Sequence, residues 1–104
     1  MKIFLKSFVL LFFIAVNLCA DVKMPSFFTD NMVLQRNIPL NIWGWAAPDE
    51  VITVSFAGQT VSASADNDGK WAVTLTPLQL SKDARELSVS GKNKISFKNV
   101  LVGD

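Results

Sequence analysis

Residues 51–65, VITVSFAGQTVSASA, decide the fold class of this chain. Apolar residues occupy positions 52, 54 and 56 and then 61, 63 and 65, with threonine, serine or another small residue between them in most places. Such alternation places one row of a β-strand in a core and the other row toward water. Gly58-Gln59 separates the two runs, which predicts a tight two-residue hairpin with glycine in its first position.

The same alternation continues along the chain. It recurs over residues 71–75, 87–90 and 95–98, and the sequences DNDG at 66–69 and GKN at 91–93 are typical of turns between strands. Pro39 and Pro48 bracket a further strand within residues 40–47. Only residues 79–86 suit a helical turn. We therefore predict an all-β fold, an antiparallel β-sandwich of the Ig-like or jelly-roll-like kind with seven or eight short strands.

The first twenty residues have the layout of a secretory signal peptide. Lys2 and Lys6 precede an unbroken apolar run over residues 8–16, and the small residue Ala20 marks the expected cleavage point. The run is shorter than the roughly 20 residues that a membrane span needs. Residues 1–20 are thus predicted to be a signal peptide and residues 21–104 a β-sandwich domain exported to the periplasm or the exterior. Lipid attachment at Cys19 is the alternative, which Leu18 disfavours because a small residue is usual there.

Composition excludes several classes of function. The 104 residues include no histidine and a single cysteine, so a histidine-activated serine and a zinc site built on imidazole or several thiolates are ruled out for this chain. Without Lys2 and Lys6, eight basic and nine acidic residues remain, a net charge of −1. That balance predicts no nucleic-acid partner and no anionic lipid surface. We predict no catalytic, cofactor-binding or metal-binding residue, and interpret Asp66, Asn67 and Asp68 as turn residues rather than calcium ligands.

Three tryptophans are candidates for contact with a sugar, because a flat indole can stack on the apolar face of a pyranose. Trp71 lies in register with Val73 and Leu75 and is predicted to belong to the core. Trp43 and Trp45 share the opposite face of their strand from Ile42, Gly44 and Ala46. The alternatives are that one of the two packs between the sheets, that both face a neighbouring domain, or that they are exposed and contact a glycan.

A second candidate group surrounds the apolar residues 32–34. Asp30, Asn31 and Arg36 flank this stretch. One interpretation places these three side chains at an interface with another domain. The other makes Asp30-Asn31 a turn and Arg36 a solvated strand end.

Six stretches, in order, carry a resemblance to a known family: FTDNMVLQR (28–36), IWGWA (42–46), PDE (48–50), FAG (56–58), DNDGKW (66–71) and NVLVGD (99–104). Together they resemble the amino-terminal β-domain of bacterial sialate O-acetylesterases and related carbohydrate acetylesterases. The resemblance covers nearly all of residues 21–104. Thr29 stands where serine is frequent in that family, and Asp49 stands where glycine is frequent.

The resemblance implies a serine ester hydrolase whose catalytic domain is expected to follow residue 104. In that family a Gly-Gln-Ser-Asn type motif supplies the nucleophile, and a histidine with an aspartate completes the site. None of these residues can be carried over onto a position of this chain. The implied partner is an O-acetylated glycan, with sialic acid as the named case, bound through that further domain.

Three hypotheses follow. The chain is the front part of an exported carbohydrate O-acetylesterase, or it is a self-contained exported β-sandwich that binds glycans, or it is a ligand-free module that supports a partner domain. The first is our prediction, and the other two are its alternatives. A domain of about 84 residues buries only about 60% of its unfolded surface, so we expect it to gain stability from a neighbouring domain.

Overall fold

The computed structural model describes residues 21–104, so the predicted signal peptide and Cys19 lie outside the described residues. This part of the chain contains seven strands and no helix. In chain order they are β1 (Val33–Gln35), β2 (Leu40–Trp45), β3 (Val51–Phe56), β4 (Gln59–Ser64), β5 (Lys70–Leu75), β6 (Ser81–Ser90) and β7 (Lys94–Gly103). The all-β prediction is confirmed. No helix within residues 21–104 is long and apolar enough to cross a membrane.

The strands form two sheets that pack as a sandwich. Five strands pair in the order β1-β7-β6-β3-β4, and β2 pairs with β5 in a second, two-stranded sheet. All pairs are antiparallel except β1 with β7, which are parallel and aligned with Val33 opposite Leu101. The predicted antiparallel β-sandwich is confirmed, and the parallel β1–β7 pair is an addition that the sequence did not indicate, since the first strand lies beside the last and runs in its direction.

The core between the sheets is entirely apolar among the described residues. Ile42 and Leu75 enter it from the two-stranded sheet. The five-stranded sheet supplies the other fully buried side chains, which are Ile52, Val54, Leu87, Val89, Val100 and Val102. The buried residues of β3, β5 and β6 come from rows that alternation assigns to the interior. In β7 the inward row changes after Phe97, so Val100 and Val102 face the core rather than residues 99 and 101.

The β3–β4 hairpin differs from the prediction by one position. Its two loop residues are Ala57 and Gly58, with φ of 53° and 79°, and Phe56 pairs with Gln59. Positive φ at both loop residues is the type I′ pattern, whose twist matches that of the flanking strands. Glycine is thus second in the loop, not first. Moving the loop by one residue shifts the register between β3 and β4 by two residues, which leaves every side chain on the same face. The alternating pattern therefore cannot distinguish the two loop positions.

Residues 79–86 form no helical turn. Strand β6 begins at Ser81 and runs through this stretch, pairing with β7. The register slips on both sides of Arg85, which pairs with Val100. The irregular pairing explains why the charged residues 82–86 lack clean alternation, since a bulge changes which face successive side chains take.

Candidate functional site

Asp30 and Asn31 form a turn that is fastened to β7. The Asp30 carboxylate accepts a hydrogen bond from the backbone N–H of Lys98 at 2.8 Å, and the Asn31 N–H donates to the Lys98 carbonyl at 2.8 Å. Asn31 has a φ of 66°, and its side-chain oxygen accepts from Asn99 Nδ2 at 3.1 Å. The turn interpretation is confirmed in geometry, whereas a role at a domain interface stays a prediction.

Arg36 lies at the other end of the β1–β7 pair. Its N–H donates to the Gly103 carbonyl at 2.9 Å, and its Nε lies 2.6 Å from the Asp104 carboxylate. The two side chains are 38% and 81% exposed, so this ion pair is screened by water and contributes less than about 1 kcal/mol. Asp30, Asn31 and Arg36 therefore all contact β7, and they keep the short strand β1 aligned with it.

Trp43 and Trp45 project from the outer face of the two-stranded sheet. They are 38% and 41% exposed, and their rings meet edge to face with centroids 5.5 Å apart. Phe27, which is 63% exposed, extends the row, because its centroid lies 5.9 Å from that of Trp43. The three rings form a contiguous exposed patch, the aromatic row. Such patches on soluble proteins mark binding surfaces.

The inner face of the same strands holds the row in place. Trp71 is 3% exposed, as predicted for a core residue, and its Nε1–H donates to the Trp45 carbonyl at 3.1 Å. Gly44 has no room for a side chain, because a Cβ there would collide with the Lys23 carbonyl. The backbone that carries both exposed tryptophans is therefore held by Trp71 on the inner face of the sheet and by Lys23 at its edge.

Two lysines flank Trp45 on the outer face. Lys23 and Trp45 form a reciprocal backbone pair, each N–H donating to the other's carbonyl at 2.8 Å. On the other side Trp45 lies directly opposite Lys70 in the β2–β5 ladder. Residues directly opposite one another in antiparallel strands point to the same face. Lys23, Trp45 and Lys70 thus form one transverse line on this surface.

A cleft of about 620 Å³ opens beside the row. Its lining includes Trp43 and Trp45 together with the polar residues Ser64, Asp66 and Lys70. Ala72, the small residue opposite Trp43 in the ladder, leaves space next to that ring. The cleft thus combines aromatic surface with hydrogen-bonding groups.

Asp66 in this cleft is committed to its turn. Its Oδ1 accepts hydrogen bonds from the N–H groups of Asp68 and Lys70, both at 2.9 Å, and Gly69 takes a φ of 76°. The 66–69 segment therefore behaves as the turn that its sequence indicates. Within residues 21–104 no group of three or more histidine, cysteine, aspartate or glutamate side chains is placed to hold a metal ion.

The serines and threonines of the large sheet lie on its outer face. Across β4, β3, β6 and β7 the register aligns Thr60, Ser55, Ser88 and Ser96 in one line. The hydroxyl oxygens of Ser55 and Thr60 are 3.4 Å apart, and those of Thr53 and Ser62 are 2.9 Å apart. These hydroxyls bond to each other, and the sequence has no histidine that could activate one as a nucleophile.

Sequence reasoning identified Trp43 and Trp45 but missed Phe27, Lys23 and Lys70 as their neighbours. The missing information is long-range pairing. Lys23 reaches Trp45 through an isolated bridge, and Lys70 through the β2–β5 ladder, which joins strands separated by two others in the chain. Alternation reports which face a residue takes within its own strand, but not which strand lies beside it.

Comparison with solved structures gives a carbohydrate-active relative. A crystal structure of a carbohydrate acetylesterase from Xanthomonas citri matches 81% of this chain with a TM-score of 0.77 and 35% sequence identity. The chain spans 19% of the length of that protein. No family model matches the chain, and no curated protein matches it. The chain is thus similar in both sequence and fold to a part of a carbohydrate acetylesterase.

Proposed function

We propose that this chain is the non-catalytic amino-terminal β-domain of an exported carbohydrate O-acetylesterase. The proposed substrate is an O-acetylated glycan, with sialic acid as the first candidate. The similarity to the acetylesterase of known structure, which extends over most of the chain, is the observation that carries this proposal. The signal-peptide pattern of residues 1–20 supports the exported location.

The chemistry of such an enzyme would come from another domain. A serine attacks the acetyl carbonyl, a base takes its proton, and oxyanion donors stabilise the developing charge. This chain has no histidine to serve as the base. Its contribution is structural. Val100 and Val102 of β7 are 0% and 1% exposed, so a domain joined after Asp104 would begin directly at a core strand, with little freedom to reorient.

The test begins with the genomic DNA beyond the codon for Asp104. An open frame that continues into a Gly-Gln-Ser-Asn type motif is the expected result. A stop codon at that point, with no hydrolase encoded downstream, would contradict the proposal.

Activity then tests the substrate. The full-length product should release acetate from O-acetylated sialic acid, and replacement of the motif serine by alanine should abolish this while leaving the protein folded. Activity on acetylated xylan but not on the sialic acid would retain the esterase and reject the substrate. The present chain, assayed in parallel, should release no acetate from either.

A further inference from the structure

The line Lys23–Trp45–Lys70 places a positively charged side chain on each side of an exposed indole. Both lysines are exposed. Neither forms an ion pair within residues 21–104, whereas Arg36 pairs with Asp104. Asp66 is the one carboxylate that lines the adjacent cleft, and its Oδ1 already accepts two backbone hydrogen bonds. Trp45 therefore has a lysine on either side, and the carboxylate of the adjacent cleft is held by backbone hydrogen bonds.

We propose that this surface binds an acidic glycan. A sugar ring stacks on the exposed indole of Trp45, beside that of Trp43, and its carboxylate lies between the ammonium groups of Lys23 and Lys70. The inference goes beyond the proposed function, because the site lies wholly on this chain and needs no catalytic domain.

The dimensions of the sheet fit this ligand. Neighbouring strands are about 4.8 Å apart, so the backbones of Lys23 and Lys70 stand about 10 Å apart with Trp45 between them. Lysine side chains are long enough to converge above the indole from both sides, and each ammonium group carries three donors. A carboxylate attached to a sugar ring is small enough to be bound by both.

The cleft favours a sugar over another protein surface. Sugars present an apolar ring face and a polar hydroxyl edge. Trp43 and Trp45 supply an apolar surface for the ring face, while Ser64, Asp66 and Lys70, which also line the cleft, supply donors and acceptors for the hydroxyl groups. The cores of protein–protein interfaces are instead depleted in charged residues, and lysine is disfavoured there. Phe27 lengthens the aromatic row, so the surface has room for more than one sugar unit.

The test uses pairs of glycans that differ only in charge. The purified protein is titrated with oligogalacturonate and its methyl ester, and with sialyllactose and lactose, following tryptophan fluorescence and isothermal titration calorimetry. We expect an acidic member of at least one pair to bind more tightly than its neutral counterpart. Its affinity should fall as NaCl rises from about 50 to 500 mM, because these exposed charges are screened by salt.

Variants separate the two parts of the site. Lys23→Gln and Lys70→Gln should each lower affinity for the acidic glycan up to about fivefold, since an exposed charge pair contributes up to about 1 kcal/mol, and should leave the neutral glycan unaffected. Trp45→Ala should weaken binding of both. Lys82→Gln, at an exposed lysine of β6, is the matched control and should change nothing.

Three results would overturn the inference. The first is that protein with a native circular dichroism spectrum gives no fluorescence or calorimetric response to any of the four glycans. The second is that the acidic and neutral members of both pairs bind equally well. The third is that Lys82→Gln and Lys70→Gln lower the affinity for the acidic glycan equally. The lysine variants keep the test valid even if Trp45→Ala fails to fold, because their side chains lie outside the core.

Discussion

Asn93 binds Val22 through both polar atoms of its side-chain amide. The Val22 N–H donates to Asn93 Oδ1 at 2.7 Å, and Asn93 Nδ2 donates to the Val22 carbonyl at 3.4 Å. The amide thus makes the two hydrogen bonds that a neighbouring strand would otherwise make to the Val22 backbone. The Val22 side chain is buried, with 3% of its surface exposed. This single residue of the β6–β7 turn fastens the start of the domain to the large sheet.

Replacing Asn93 by alanine should therefore lower the free energy of unfolding by about 1–3 kcal/mol, because the part-buried Val22 N–H loses its partner. Urea denaturation followed by tryptophan fluorescence measures the change. Asn67→Ala, in an exposed turn where no such bond is made, should stay within about 0.5 kcal/mol of the parent. Equal losses in the two variants would show that Asn93 has no special role.

Gly44→Ala should destabilise the protein by about 1–3 kcal/mol, although alanine in place of glycine usually favours a strand. The added methyl group would press on the Lys23 carbonyl and separate the Lys23–Trp45 pair. Gly58→Ala, at a position with open space but a φ of 79°, serves as the comparison and should cost about 1 kcal/mol from backbone strain alone. Acrylamide quenching of the tryptophan fluorescence should increase in the first variant only.

Asp49→Gly should stabilise the domain by about 0.5–1 kcal/mol. Asp49 has a φ of 66°, a conformation that glycine adopts without steric penalty, and this accounts for the frequent glycine at the corresponding place in the family it resembles. The same change at Asp83, which lies inside β6, should destabilise by a similar amount. Thermal melting of both variants gives the comparison, and a common sign for the two shifts would contradict the backbone explanation.

Asp66→Ala should destabilise by about 1–2 kcal/mol, since two backbone N–H groups lose the acceptor that closes the turn. Asp66→Asn keeps an oxygen at Oδ1 and should lose less than half as much. Millimolar calcium or EDTA should leave the melting temperature of the parent unchanged. A rise on adding calcium would show that the segment binds the ion after all.

The sequence predicted the inward faces of β3, β4 and β5, because apolar residues alternate with polar or small ones along each of these strands. For β2 it left open whether Trp43 and Trp45 face inward. It did not predict which strands are neighbours. The parallel pairing of Val33 with Leu101 and the placement of Lys23 and Lys70 beside Trp45 depend on residues 22 to 68 positions apart. Arg85 illustrates a further limit, since register slips on both sides of it remove the periodic signal altogether.

The position of β7 between β1 and β6 governs when this fold can form during synthesis. Strand β1 leaves the ribosome early, yet its pairing partner is made nearly seventy residues later. The hairpin of β3 and β4 can assemble at once, but the sheet has no place for β1 until the last strand emerges. Such long loop closure is slow. This domain therefore stays incompletely folded until β7 has been synthesised, although most of its strands are already outside the ribosome.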